Sequence, residues 1–440
     1  MRMIVHVEEK ESILKYMDDY KMRKLGGAVT HMQQNLINEK QLEDLTAVKF
    51  LVGDMNDLVG ERPKSLMPFC DQVIEFLNSL SKNLMSSKEA KQYPDIITLG
   101  FWIRKSSLLQ LKDRFHKEDE NALRMGRGIA FHIAPSNVPV NYAYSLVTGL
   151  LTGNVNIVRI PSKDFPQVDI VNRAIVKTLD EYADLKKYIY LVRYDRNQKV
   201  NDVFSIICDS RIIWGGDQTI SEIRKSSLSP RAGEITFADR YSLAIIDSDK
   251  YLSLASKERF AEEFYNDTYL TDQNACTSPR IVVWTGEKVE EAKDEFWKLL
   301  HNLVEKKYTL QPIMGVNKLT SSYIAAAAGV CDRIEVHEDN YIVRVHVKEP
   351  DSSIMELKDN SGYFFECECH DLMELRGLCN NNHCQTIGYL GERDEIMPLL
   401  LSGIQGVDRV VPIGKTMDFD LLWDGYDLYE RLTRNISISI

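Results

Sequence analysis

The 440-residue chain has no apolar run approaching the length of a membrane span. Its start, MRMIVHVEEK, carries no long apolar stretch of the kind a secretory leader needs. These absences set the expectation of a cytoplasmic protein with no membrane span. Tandem repeats and low-complexity tracts are also missing, so no repeat array is expected. Positive charge is not in excess. The 54 Lys and Arg against 65 Asp and Glu leave a net charge of -11, which argues against nucleic acid as a partner. The 8 cysteines are scattered through a long chain without a disulfide-scaffold spacing, so they read as reduced thiols.

What is present is a texture that changes along the chain. Residues 1–127 read as mostly helical and charged, and 94–115 carries apolar residues at helical spacing, predicting one long helix after Pro94. From residue 128 short apolar runs alternate with helical segments. Strands are expected at 128–135, 156–162, 188–194 and 211–216, with helices over 140–154 and 168–182. That alternation predicts a parallel, doubly wound sheet. A second α/β unit follows, with strands at 241–247, 280–284, 341–347 and 362–369 and helices at 256–270, 289–307 and 321–330. The tail, 406–434, is rich in aromatics and acids and has no period that assigns it.

Several residues carry possible chemistry. Cys276, in TDQNACTSPR, is a candidate nucleophile, since a thiolate attacks carbonyl carbon readily. Its neighbours include no His or Lys, and a small core cysteine is the plain alternative. In APSNVPV (134–140) two prolines hold a loop after a strand, and Asn137 there is a candidate oxyanion donor or else a turn residue. WGGD (214–217) puts Gly215 and Gly216 at a strand-to-helix turn, where backbone N–H groups would meet a phosphate. The pair is not G-x-G-x-x-G, and a ligand-free tight turn would look the same. Arg159, Ser162 and Lys163 follow a strand of the same sheet. Where an acid would suit a free ribose hydroxyl, these suit a 2′-phosphate, pointing to NADPH. Cys367, Cys369, His370, Cys379, His383 and Cys384 are numerous enough for zinc, but their spacing is not that of a zinc knuckle, and no metal is expected.

The order of these pieces resembles the aldehyde dehydrogenase superfamily: Pro-x-Asn-x-Pro, then TGLLTGNVNIVRIPS (148–162), then the Gly-Gly turn, then an isolated cysteine. GRGIAFHIAPSNVPVN (126–141), TDQNACTSPR (271–280), HCQTIGYLG (383–391) and DRVVPIGKTMDFDLLWDGYDL (408–428) are similar to the LuxC-type acyl-CoA reductase family, typified by the fatty-acid reductase of bacterial bioluminescence. The resemblance spans about residues 94 to 434. It implies an aldehyde-dehydrogenase-like α/β fold, with a Rossmann-like cofactor domain and a second α/β catalytic domain carrying the cysteine. It implies that Cys276 accepts an acyl group from acyl-CoA or an acyl-protein, that Asn137 and the Cys276 N–H hold the oxyanion, and that NADPH reduces the acyl-enzyme to an aldehyde. Pro135, Ser136, Gly215 and Gly216 would then line the cofactor, with Arg159 near its adenosine ribose. An acyl-protein synthetase partner and a homo-oligomer are also implied.

One departure is informative. Hydrolytic members of the superfamily carry a water-activating Glu shortly before the cysteine, and here Phe237 and Ala238 stand in its place, with Glu234 close by. The expected domains are 1–248, 249–412 and a segment 413–440. The competing readings are a cysteine acyltransferase or thioesterase that delivers no hydride, and a non-catalytic subunit of this fold.

Overall fold

The computed structural model describes residues 37–60, 62–116, 121–136 and 138–439. They divide into two compact units: residues up to Ala238 together with those from Asp427, and residues Asp239–Tyr426.

In the first unit the described residues form a six-stranded sheet. Its strands are β1 (Lys49–Val52), β3 (Ile129–Ile133), β4 (Val155–Arg159), β5 (Ile189–Arg193), β6 (Ser210–Trp214) and β7 (Gly233–Phe237), while β2 (Ala122–Gly126) lies apart. The spatial order is β1-β5-β4-β3-β6-β7. All neighbours run parallel except β1, which adds to β5 antiparallel. β3 and β6 are buried at every position, which is why they appear as continuous apolar runs rather than alternating ones. The chain winds from β3 through β4 to β5, then returns to β6 on the other side of β3. The reversal lies between β3 and β6, where doubly wound sheets open a crevice at the strands' carboxyl ends.

The predicted long helix is two. Pro94–Trp102 stops at Ile103, and Lys105–Phe115 restarts after Arg104, whose backbone is extended at φ -67, ψ 147. The Arg104 side chain bonds the Phe101 carbonyl at 3.0 Å, satisfying an orphan acceptor of the first helix. β2 pairs with the strand Thr433–Ser437, so the unassigned tail completes this unit.

The second unit holds a seven-stranded sheet. Its strands are β8 (Tyr241–Asp247), β9 (Pro279–Thr285), β10 (Arg333–Val336), β11 (Val343–His346), β12 (Tyr363–Glu368), β13 (Cys384–Leu390) and β14 (Arg409–Pro412), in the order β10-β11-β12-β9-β8-β13-β14. Only the β10–β11 pair is antiparallel. Because β8 belongs to this sheet, the unit starts at Asp239 rather than after residue 248, and it runs on to Tyr426 rather than 412. Helix Pro312–Ala327 begins well before the expected 321, with Pro312 at its first turn, where the missing N–H costs nothing. One face of the sheet packs Tyr251, Phe264, Phe296, Trp297 and Trp284. The other buries Cys367, Cys369, Cys379 and Cys384 among Leu372, Leu375 and Leu378, so these thiols are core groups.

Candidate active site

The first cluster lies in the first unit, around the β3/β6 reversal. Pro135 and Ser136 follow the carboxyl end of β3 and Gly215 and Gly216 that of β6, so the topology brings both motifs to one crevice. Asn137 lies outside the described residues. The Gly215 N–H donates to the Phe237 carbonyl at 3.0 Å, tying the turn to the adjacent strand. Gly216 caps the helix Asp217–Arg224 with φ -66, an ordinary value for any residue. No atom lies within 4 Å of the place its Cβ would take. Neither backbone conformation nor packing requires glycine there, so a bare backbone at an open helix N-terminus fits a phosphate group from outside the chain. Asp217 places a carboxylate in the first turn of this helix, where no side chain caps the end.

Arg159 ends β4, next to β3. Its guanidinium lies over the Tyr194 ring at 4.5 Å and donates to the Tyr194 carbonyl at 3.4 Å, which fixes its direction. Ser162 and Lys163 are exposed, and the Lys163 ammonium sits over Phe165 at 5.1 Å. The carboxylate that follows, Asp164, is held by Arg193 at 2.6 Å. The cations are therefore available for an anionic group and the acid is occupied.

Beneath this crevice is a polar network that the sequence does not announce. His132 Nδ1 lies 2.7 Å from Ser145 Oγ and Nε2 lies 3.1 Å from Asn156 Oδ1. The Asn156 amide donates to the Asn154 carbonyl at 2.8 Å, so its Oδ1 is the acceptor and His132 carries its proton on Nε2. Trp214 Nε1 donates to Ser145 Oγ at 3.2 Å, joining β6 to the same set. Burial pushes His132 down to about 4, against a smaller upward pull from the Asn156 bond. The network is neutral and binds β3, β4, β6 and helix Asn141–Leu151 into one block.

Glu234 is not a free base. Its carboxylate accepts from Arg211 Nε at 2.9 Å, Arg211 Nη2 at 2.5 Å and Arg224 Nε at 2.7 Å. Phe237 stacks on Trp214, with ring centroids 3.8 Å apart and planes at 22°. Neither position offers water an activating carboxylate.

The second cluster lies in the second unit, around Cys276. Helix Lys257–Thr268 and a 3-10 turn at Tyr269–Thr271 lead into a loop in which Asp272 and Gln273 are both left-handed, at φ 51 and 60. Bulky non-glycine residues rarely hold this conformation without support, and here the support is dense. Gln273 is fully buried. Its amide donates to the Pro279 carbonyl at 2.9 Å and the Tyr363 carbonyl at 3.2 Å, and its Oε1 accepts from Gly362 N–H at 3.0 Å and Tyr363 N–H at 3.3 Å. Arg280 donates to the Gln273 carbonyl at 2.6 Å and to Asn360 Oδ1 at 2.7 Å. Tyr308 donates to Asp272 at 2.6 Å. Behind these, Lys318 donates to the carbonyls of Asn340 and Ser361, with the Ser361 bond at 2.7 Å.

Cys276 itself is half-buried, and Ser242 Oγ donates to its carbonyl at 2.8 Å. Among the described residues no other residue accepts from the Cys276 N–H, whose neighbour is its own sulfur. Burial pushes the thiol up to about 12, and the carboxylates of Asp424 and Asp239 add to the rise. Its own N–H and the charge of Arg240 oppose it more weakly. The resting sulfur is a thiol, not a thiolate. Thr277 Oγ1 reaches Met417 Sδ at 3.2 Å, so the segment after β14 walls this site. Asp267 anchors that segment, accepting from Gly414 N–H at 2.6 Å and Thr416 N–H at 3.1 Å. Sequence reasoning singled out Cys276 but not Asp424, Asp239, Arg240 or Gln273. Gln273 and Asp424 had a local signal, their places in the motifs at 271–280 and 408–428.

A family model described as acyl-CoA reductase (LuxC) matches residues 105–348. The long-chain acyl-protein thioester reductase of Vibrio harveyi is 24% identical over 238 residues, covering 54% of this chain and 46% of that protein. That of Aliivibrio fischeri is 26% identical over 182 residues, covering 40% of this chain and 37% of that protein. The matched regions thus span less than half the length of these curated relatives. Among solved structures, lactaldehyde dehydrogenase from Escherichia coli superposes with a TM-score of 0.57 at 12% identity, covering 83% of this chain and 86% of that one. A 3,6-anhydro-L-galactose dehydrogenase in complex with NAP superposes at 0.55 and 11% identity, covering 84% and 88%. The fold is that of the aldehyde dehydrogenases.

Proposed function

The chain belongs to the LuxC acyl-CoA reductase family, and from that premise we propose that it reduces an acyl thioester to an aldehyde through an acyl group carried on Cys276. The observation that carries this reading is the Cys276 loop. A backbone with two left-handed residues is held by a buried glutamine, an arginine and a tyrosine, which is the support expected of a positioned nucleophile.

Cys276 attacks the thioester carbonyl, and the donor thiol leaves. The exchange replaces one thioester by another, so it is nearly neutral in energy. Its oxyanion is held by the Cys276 N–H and, on the family resemblance, by Asn137. With Glu234 bound to two arginines and Phe237 stacked on Trp214, no carboxylate at these positions activates water against the acyl-enzyme. The acyl group therefore waits for reduction rather than being hydrolysed.

NADPH, when bound, would supply the hydride. Pro135, Ser136, Gly215 and Gly216 would line its pyrophosphate and Arg159, Ser162 and Lys163 its 2′-phosphate. The thiohemiacetal left on Cys276 then collapses, the C–S bond breaks, and the aldehyde departs. The acyl donor is acyl-CoA or an acyl-protein, the latter charged by a synthetase partner, and the working form is a homo-oligomer. The competing reading, an acyltransferase that delivers no hydride, draws on Asp217 at the helix N-terminus.

Intact-mass measurement after mixing with acyl-CoAs of graded length tests the reading. The expected result is an adduct of acyl mass on the Cys276 peptide, released as aldehyde on addition of NADPH. An adduct released only as acid or by another thiol would favour the transferase. Absence of any adduct, from CoA or carrier-protein donors, would overturn both.

A further inference from the structure

Strands β9, β8, β13 and β14 run parallel, so their starts share one edge. Ser242 pairs with Pro279, Tyr241 with Cys384, and Arg409 with Thr386. The residues that lead into these strands therefore collect in a row: Cys276 before β9, Asp239 and Arg240 before β8, His383 before β13, and Asp408 before β14. They are cross-linked. Arg240 donates to Asp408 at 2.8 Å, and His383 Nδ1 donates to the Asp239 carbonyl at 2.8 Å.

Asp424 joins this row through Gln385, which donates to it from β13 one residue after Cys384, the partner of Tyr241, while the next residue of β8, Ser242, holds the Cys276 carbonyl. Leu422–Trp423 and Tyr426–Asp427 form a short two-stranded ribbon, and its turn is Asp424–Gly425, both left-handed at φ 50 and 72. Asp-Gly is a favoured pair for such a turn, and the aspartate of a hairpin tip ordinarily sits in water. This one is 4% exposed. A single described donor, the Gln385 amide, meets its Oδ1. The turn alone would be served equally by asparagine, and burying a carboxylate on one hydrogen bond is costly, so the turn does not account for the acid.

We propose that Asp424 is the base that takes the Cys276 proton as the thiol is acylated and returns it to the departing thiol. This rests on the reading of Cys276 given above. The Cys276 S–H bond breaks as the S–C bond to the acyl carbon forms, and the proton moves to the Asp424 carboxylate. The bond from the acyl carbon to the donor sulfur then breaks, and that sulfur takes the proton. No oxidation occurs in this step.

The electrostatics agree. Burial pushes Asp424 up to about 7, with Asp408 adding to the rise and Arg240 and Arg409 opposing it. The charged groups facing Cys276 are Asp424, Asp239, Arg240 and Arg280. Asp424 is the largest of the charge effects on the thiol. A thiol near 12 yields on the order of 1 part in 100,000 thiolate at neutral pH, so proton transfer to a neighbour is the accessible route.

A bystander anion and a base predict opposite signs. As a bystander, Asp424 only suppresses the thiolate, and Asp424→Asn would make Cys276 more reactive. As the base, its loss makes Cys276 less reactive. The experiment is iodoacetamide alkylation of Cys276 in the full chain from pH 6 to 9, read by mass on the Cys276 peptide, beside acyl loading from acyl-CoA. The expected result is a roughly 10- to 100-fold slower reaction in Asp424→Asn at neutral pH, loss of the limb rising through pH 7, and partial return of both in Asp424→Glu. Asp424→Asn alkylated as fast as wild type, or faster, would overturn the proposal. Should that variant melt early, Gln385→Leu serves instead. Removing the amide that steadies the anion must move the limb to higher pH, and an unmoved limb counts against Asp424. Alkylation needs neither cofactor nor acyl donor. A chain that shows the Asp424 effect but makes no aldehyde therefore refutes the reductase and not the proton transfer.

Discussion

Single residues around the two clusters trade stability against chemistry in ways that can be separated. Gln273→Ala removes four hydrogen bonds at one buried position and leaves the Pro279 and Tyr363 carbonyls and the Gly362 and Tyr363 N–H groups without partners. The expected cost is about 1–3 kcal/mol of unfolding free energy, read from the shift in denaturant midpoint, with acyl loading of Cys276 falling further than that figure alone requires. Gly216→Ala has open space and an ordinary φ, so melting should be unchanged while NADPH affinity drops roughly 10-fold, read by fluorescence titration. Gly149→Ala is the contrast. Its Cβ would lie 1.7 Å from Asn156 Oδ1, inside the His132 network, and the fold should lose roughly 1–3 kcal/mol or more. His132 has its own pH signature. Its folded value of about 4 lies below the ordinary 6.5, so its contribution is full above 6.5 and lost as pH falls towards 4. The difference in urea stability between wild type and His132→Gln should shrink by about 3 kcal/mol across that window. The difference is the quantity to measure, because Asp267, raised to about 7, favours the fold at low pH and loses that contribution as pH rises from 3.8 to 7.

At the scale of elements, the sequence was most legible where burial is complete. β3, β4, β5 and β6 are buried on both faces and mostly apolar, so their positions stand out as short runs between helical periods. The break at Ile103–Arg104 was not legible. Apolar spacing continues through it, and the stop is made by one extended residue whose side chain caps the helix it ends. β10 and β14, short and exposed or half exposed, were not predicted, nor were β1, β2, β7 and the largely buried β13. Cys276 stood out through its motif, but the groups that set its proton affinity did not. Asp239 and Arg240 reach it because parallel strands align their starts, and Asp424 because a separate ribbon turn is buried against Gln385 of β13; contacts between distant segments leave no trace in local pattern.

At the scale of the whole molecule, the expected boundary at 248 cut β8 away from the second unit, although its strand reads as the first of that unit and the structure begins the unit at Asp239. The tail was divided too: its part up to Tyr426 builds the Cys276 wall and the part from Asp427 returns to the first unit. There Leu432 accepts from the Asn154 amide at 2.9 Å, and Thr433–Ser437 pairs with β2. Removal of residues 427–440 should therefore loosen the first unit and spare the second. Limited proteolysis of the truncated chain is expected to cut around β2 and β3 while leaving a resistant core over 239–426.

This division, with residues Asp239–Tyr426 enclosed between two stretches of the first unit, bears on how the chain is made. A ribosome releases every strand of the enclosed unit before it releases the partner that β2 needs. The segment emerging first can therefore form its six-stranded sheet but must leave β2 unpaired while the later one closes on itself. Chaperones guarding the nascent chain would be expected to hold the earlier segment, and pauses in translation before residue 427 would lengthen its exposure without harming the later segment.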